Sequence, residues 1–342
     1  DKGLTDLPIT LSTQKIMESS GLGVAKFSEV DENPNEKNLD AGVEHYRAGN
    51  HDGVIAFGGG SGLDLGKMIA FMIGQSRPIW DFEDINDQWR RADISKIAPI
   101  IAIPTTAGTG SEVGRASVIT NTKTLMKKII YHPKVLPSAV ICDPELTVSM
   151  PKFITAGTGL DAFAHCVEAF SSPNYHPMSQ GIALEGMRLV KDYLLRAYTD
   201  KNDLEARSNM MCAASMGATA FQKGLGAIHA LSHPIGAVHN THHGTTNAVF
   251  MPTVLQFNAP SIRDRFSHVA SYLSIDNGFK GFCDFVQNLN DSLEIPKSLS
   301  HLGVLNPDIS SLTKMALSDP SCAGNPLKLT ELNVKQLFEE CL

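Results

Sequence analysis

The sequence predicts an α/β domain built on a parallel sheet, followed by an all-helical domain. Three observations lead there: two strand-to-glycine-loop transitions in the first half, purely helical periodicity in the second, and a length of 342 residues. A chain that long exceeds what one hydrophobic core usually supports. The boundary is placed where short strands with turn residues give way to long helical patterns, giving domains 1–150 and 151–342.

Residues 1–50 read as polar segments with short helical patterns, such as 39–48. GVIAF (53–57) then reads as a buried strand, followed by GGGSG (58–62) and the apolar-periodic helix LDLGKMIAFMI (63–73). This order points backbone N–H groups and a helix amino terminus at a phosphate. Ser61 and Asp64 have capping-box spacing and place the helix start. Gly60 and Gly62 give G-x-G, but the third glycine is Gly66, one residue late for the dinucleotide fingerprint. A second buried strand, APIIAIP (98–104), runs into TTAGTGSE (105–112) and repeats the arrangement, as a dinucleotide-binding sheet would. Residues 75–97 read as a polar surface excursion, Lys127 and Lys128 as a solvated face on spacing alone, and 138–146 as a third strand.

From Ile154 onward the pattern is helical, over 154–171, 177–198 and 203–222 and beyond. Asp161 and His165, four apart in GLDAFAHCVEA (159–169), project from one face of an apolar helix. Burying both is costly unless something pairs them. Of the chain's 12 histidines, five (His229, His233, His239, His242, His243) lie within the 21 residues of 224–244, among small apolar residues. Asp161, His165 and two of these form a mixed oxygen and nitrogen set suited to Fe(II) or Zn(II). His233 precedes Pro234, which disfavours helix at 233 and assigns some later histidines to a loop.

Composition narrows the function. A formal net charge of −7 argues against nucleic acid. No apolar run approaches the 18 residues of a membrane span. Six scattered cysteines with no CxxC pair read as the reduced thiols of a cytoplasmic protein.

GGGSGLDLGK (58–67), TTAGTGSE, DPEL (143–146), GLDAFAH and HALSHPIGAVHNTHHG (229–244) occur in order along nearly the whole chain. The sequence thereby resembles the iron-containing (group III) alcohol dehydrogenases. The resemblance implies the dehydroquinate synthase-like fold of that family: an amino-terminal NAD(P)-binding α/β domain, an all-α metal domain, a cleft between them, and a homodimer. It implies Asp161, His165, His229 and His243 as metal ligands. Gly59, Gly60 and Ser61, with Asp64 beside them, would hold the cofactor pyrophosphate. Thr105 and Thr106 would line the adenine and ribose side, Lys127 would touch the nicotinamide ribose, and Asn33 and Leu146 would contact the cofactor. Asp1 falls at the end of the family's opening strand, which the chain is expected to lack; its acid would bond the adenine ribose and favour NAD over NADP. Iron is the expected metal, and zinc can replace it.

The implied reaction is reversible hydride transfer between NAD(P) and a small alcohol or aldehyde, with His233 beside the metal as proton relay. A metal-dependent lyase of the dehydroquinate synthase type and a non-catalytic dinucleotide-binding protein stand as alternatives. Two departures from the family pattern, Gly114–Arg115 after SEV and Lys223, introduce cations. They are read as rim charges, with an acidic substrate as the other reading.

Overall fold

The computed structural model describes residues 1–342 and separates into two compact units. The first comprises Asp1–Thr105 and Ser111–Leu146, the second Thr106–Gly110 and Thr147–Leu342.

In the first unit, α1 (Pro8–Ser19) and α2 (Glu36–Ala48) precede β1 (Val54–Gly58) and α3 (Gly60–Met72). β2 (Ile100–Pro104) pairs parallel with β1, from Val54 opposite Ile100 to Gly58 opposite Pro104. β5 (Ala139–Val140) extends the sheet on the far side of β2, in the order β1-β2-β5. The 138–146 stretch thus supplies a strand of only two residues, both exposed. On its other edge β1 has no paired strand, and a cavity of about 370 Å³ lies there, lined by Asp1, residues 22–28 and Val54–Phe57.

Gly66 turns its bare Cα to β1: a Cβ there would lie 2.7 Å from the Ala56 Cβ. Although one residue late for the fingerprint, it performs the helix-against-strand packing of the third glycine. Two expectations for this unit fail. β3 (Ala116–Asn121) and β4 (Met126–Tyr131) form an antiparallel hairpin that puts Lys127 opposite Thr120 and pairs Lys128 with Glu83 at 2.8 Å. The 75–97 segment is more than a surface excursion, because Ile79 and Phe82 are buried in the core beside Phe71. Its polar composition conceals two apolar anchors.

The second unit is helical: α4 (Lys152–Ser171), α5 (Pro177–Thr199), α6 (Leu204–Ala220), α7 (Ala227–His239), α8 (His243–Tyr272), α9 (Gly278–Ser292), α10 (Ile309–Leu317) and α11 (Glu331–Glu340). No helix is long and apolar enough to cross a membrane. α4 is buried along most of its length and packs against α5, α6 and α8. Gly244 allows α8 to start against α4, since a Cβ there would lie 2.1 Å from the Gly157 carbonyl oxygen and 3.0 Å from the Asp161 Cβ.

Lys223 is not a rim charge. It is buried, and its Nζ donates to the carbonyls of Ala169 (2.9 Å) and Ser172 (2.6 Å) at the end of α4. Arg265 donates to Phe170, Ser171 and Ser172 at the same end. The two cations satisfy carbonyls that a helix terminus leaves open and oppose its negative dipole end. Burial first, and then the nearby Arg265, push the Lys223 ammonium down to about 8. Lys223→Met, which strands the Ala169 carbonyl and leaves Ser172 to Arg265 alone, is expected to cost about 1–3 kcal/mol of stability. Urea unfolding of the two proteins side by side measures it. Arg115, by contrast, is exposed over the Tyr131 ring, at 5.7 Å from its centroid.

Candidate metal and cofactor sites

Three helices converge on one carboxylate. Asp161 and His165 stand a turn apart on α4, His229 is the third residue of α7, and His243 is the first of α8. Asp161 Oδ1 lies 3.6 Å from Nε2 of His165, of His229 and of His243. These separations are too long for hydrogen bonds. They match the spacing between ligands around a tetrahedral ion with bonds of about 2.1–2.2 Å, roughly 3.5 Å. Asp161, His229 and His243 have one donor atom each, all within 4.8 Å of one another, and His165 joins this trio through its 3.6 Å approach to Asp161. Side-chain exposure is 3% for Asp161, 6% for His165 and 2% for His229, but 27% for His243, so the group opens on the His243 side. One oxygen and three imidazole nitrogens, nearly dry, fit a divalent transition metal.

The electrostatics agree. Burial works to raise the Asp161 carboxyl, but the histidines around it hold it well below the usual carboxylate range. Burial dominates at His165 and, against Asp161, pushes it down to about 4. At His229 burial is outweighed by the Glu168 and Asp161 carboxylates, which raise the imidazole to about 9. His229 therefore carries a second proton below that pH, and an incoming cation must displace it. Metal uptake by metal-free protein is expected to weaken up to about tenfold per pH unit as pH falls below about 9. Zinc titrations at pH 6, 7 and 8 measure that slope.

Three residues that hold these side chains, two of them on ligands and one on His233, escaped the sequence reading. Glu168 is buried, and its Oε2 lies 2.6 Å from His229 Nδ1. Asn247, fully buried, donates from Nδ2 to Asp161 Oδ1 at 2.8 Å. Asp319 Oδ2 lies 2.8 Å from His233 Nδ1. Burial would raise the Asp319 carboxyl, but His233 and Ser321 bring it down to about 2, so it is ionised. Glu168 alone had a local signal, an acid seven residues after Asp161 on the same face of an apolar helix.

His233 stacks on His243, with ring centroids 5.3 Å apart, and lies 5.7 Å from the His229 ring. The expected loop at 233 is a helix: α7 continues through Pro234 to His239. An interior proline forfeits a backbone hydrogen bond and costs about 3 kcal/mol. Full burial of Ala230, Leu231 and Ile235 around it compensates. The other two histidines are apart from the donor group: His242 caps α8 through Thr245 N, and His239 ends α7.

In the first unit β1 ends at Gly58, whose φ of 150° favours glycine, and α3 begins after Gly59. No side chain caps α3, which leaves the first backbone N–H groups, those of Gly60 and Ser61 among them, open to an anion. The Ser61–Asp64 capping box is absent. Ser61 Oγ instead donates to Glu32 O at 2.5 Å, which brings Asn33 beside the loop. Asp64 accepts from Ser111 Oγ (2.5 Å) and Val118 N (2.8 Å) and pairs with buried Lys67 (3.2 Å), so its carboxylate anchors α3 to the chain entering β3. Thr105 N donates to Gly58 O at 2.9 Å.

Asp1 caps a single helical turn at Lys2–Leu4, and its Oδ2 lies 3.9 Å from where a Gly58 Cβ would be. The loop, Asn33, Thr105 and Asp1 are thus brought together. Lys127 lies on β4, Leu146 in the turn Pro144–Thr147 that closes the unit, and Thr106 in the second unit.

The chain is similar to known proteins along nearly its whole length. Residues 1–144 match the family described as iron-containing alcohol dehydrogenase, and residues 155–342 match its C-terminal counterpart, the Fe-containing alcohol dehydrogenase family. The chain is 37% identical over 355 residues to the 4-hydroxybutyrate dehydrogenase of Cupriavidus necator, with 100% of this chain and 91% of the relative covered. A crystal structure of 1,3-propanediol oxidoreductase superposes with a TM-score of 0.92 at 31% identity, covering 100% of this chain and 90% of that one. The sulfoacetaldehyde reductase of Bifidobacterium kashiwanohense, solved in complex with NAD+, gives a TM-score of 0.88 at 29% identity over 99% and 89% of the two chains.

Proposed function

The chain belongs to the iron-containing alcohol dehydrogenase family, and from that premise we propose that Asp161, His165, His229 and His243 hold its metal while Gly59, Gly60 and Ser61 cradle its dinucleotide. The protein is a metal-dependent alcohol dehydrogenase, as its relatives are, which sets aside both the lyase and the non-catalytic readings. The observation that carries the metal assignment is the single carboxylate oxygen 3.6 Å from three imidazole nitrogens. When bound, the ion supplies Lewis-acid polarisation and the nicotinamide supplies the hydride acceptor.

The chain's own residues do the rest. Asp161 brings negative charge to the ion, and Asn247 and Glu168 fix the ligands in place. His233 receives the alcohol proton at Nε2, with Nδ1 held by Asp319. Asn33, Thr105, Thr106, Lys127 and Leu146 orient the cofactor, and Asp64 keeps the loop in shape without touching it. Asp1, beside the glycine loop, accepts from the adenine ribose and repels a 2′-phosphate, so NAD is the preferred cofactor. Iron is the native metal of this reading and zinc a competent substitute. The enzyme works as a cytoplasmic homodimer; six free cysteines suit a reducing compartment.

The substrate is a short primary alcohol or its aldehyde. A relative named for 4-hydroxybutyrate makes an ω-hydroxy acid the candidate, and Lys223, buried and bonded to the end of α4, is not the cation that meets its carboxylate. Iron-loaded protein is expected to reduce NAD+ with 4-hydroxybutyrate or 1,3-propanediol, and NADP+ more slowly. The test is a panel of primary alcohols, diols and hydroxy acids followed by NADH absorbance. Absence of turnover with every alcohol and aldehyde would contradict the function, and equal rates with both cofactors would remove Asp1 from the ribose.

A further inference from the structure

We propose that Glu168 is the residue that makes His229 a metal ligand, by fixing the ring's tautomer and the start of the helix that carries it. The inference rests on the metal reading of Asp161, His165, His229 and His243.

A carboxylate only accepts hydrogen bonds, so the 2.6 Å contact from Glu168 Oε2 obliges His229 Nδ1 to carry a hydrogen. The neutral ring then has its lone pair on Nε2, the atom that faces Asp161 Oδ1. Were the hydrogen on Nε2, an N–H would point into the donor group. The other oxygen of Glu168 accepts from Ile228 N, also at 2.6 Å. α7 has no side-chain cap of its own, Gly226 being its N-cap. Its first two N–H groups go to distant partners, Ala227 N to Asn325 Oδ1 and Ile228 N to Glu168. One carboxylate thus sets both the angle of the helix and the hydrogen on its third residue. Glu168 shares the buried face of α4 with Asp161 and His165, so two ligands and the group orienting a third stand on one rigid helix.

Glu168→Gln isolates this role, because size is kept and only the ability to accept twice is lost. If the Gln amide oxygen stays on Ile228 N–H, its NH2 group faces His229 Nδ1 and drives the hydrogen to Nε2. If the amide turns over, NH2 opposes the Ile228 N–H. Either arrangement weakens the metal. Zinc affinity of metal-free protein, measured by competition with a chelator, is expected to fall 10- to 100-fold in Glu168→Gln, the range for outer-shell carboxylates.

Zinc-loaded wild-type protein is expected to show a downfield, slowly exchanging Nδ1–H for His229 by nitrogen-15 NMR, a measurement that does not depend on the variant folding. A folded Glu168→Gln protein with affinity within threefold of wild type would overturn the proposal, as would an absent or rapidly exchanging Nδ1–H. Asp161→Ala serves as the reference. If wild-type protein takes up no stoichiometric zinc, or Asp161→Ala binds it equally well, the metal site itself fails and the proposal with it.

Discussion

Asp161→Ala yields a folded protein that retains no divalent metal and oxidises no alcohol: this is the largest effect expected of any single substitution. Asp161 supplies the only anion among the four donors, and its Oδ1 is the atom from which each of the three imidazoles is 3.6 Å distant. The imidazoles left behind are neutral ligands, and the remaining carboxylate, Glu168, stands behind His229 rather than among the donors. The loss of affinity should exceed the roughly 10–100-fold typical of removing an outer-shell partner. Folding should survive, because the core of the second unit extends well beyond the donor group, from α4 to α11. The burial cost of the carboxylate disappears as well, which offsets the lost hydrogen bond from Asn247. Elemental analysis and circular dichroism of the purified variant check both halves. Full metal occupancy in a folded variant would remove Asp161 from the ligand set.

His233→Ala separates binding from chemistry. The ring lies against His243 with its Nδ1 taken up by Asp319, and it is not among the three imidazoles 3.6 Å from Asp161 Oδ1, so metal and NAD affinity should be unchanged. Oxidation of an alcohol needs a route for the hydroxyl proton. Asp319 on Nδ1 fixes His233 with a hydrogen there, leaving Nε2 to accept. Losing such a group typically costs 10²–10⁴-fold, and a fall in kcat of at least roughly 10²-fold is expected. The deficit should narrow as pH rises, because hydroxide can then take the proton. Asp319→Asn should show a smaller fall, since the amide can orient the ring but offers it no charge. Near-normal turnover by His233→Ala from pH 6 to 9 would assign the ring to packing alone.

What was legible in the sequence is what local spacing encodes. Asp161 and His165 share a helix face because they are four apart, and the strand, glycine loop and helix at 53–73 declare themselves by periodicity. Contacts made across long stretches of chain are different. Asp319 meets His233 from 86 residues away, out of a turn whose sequence, SDPS, looks like any other. Asn247 reaches Asp161 across the same interval, and nothing around it marks it as more than a polar helix residue.

Local rules also misled where burial overrode them. Pro234 reads as a helix stop, yet the packing of α7 carries it through. Lys223 reads as a rim charge, yet the open carbonyls at the end of α4 draw it inside. In the hairpin, the polar, lysine-bearing start of β4 conceals a strand whose one fully buried side chain is Ile130.

X-ray absorption at the metal edge of iron- or zinc-loaded protein tests the metal centre most directly, because it reads the ligand atoms rather than the consequences of losing them. The predicted spectrum has a first shell of nitrogen and oxygen alone, at about 2.0–2.2 Å, with outer-shell scattering from three imidazole rings. A sulfur shell near about 2.3 Å, or a spectrum without imidazole scattering, would contradict the assignment of Asp161, His165, His229 and His243.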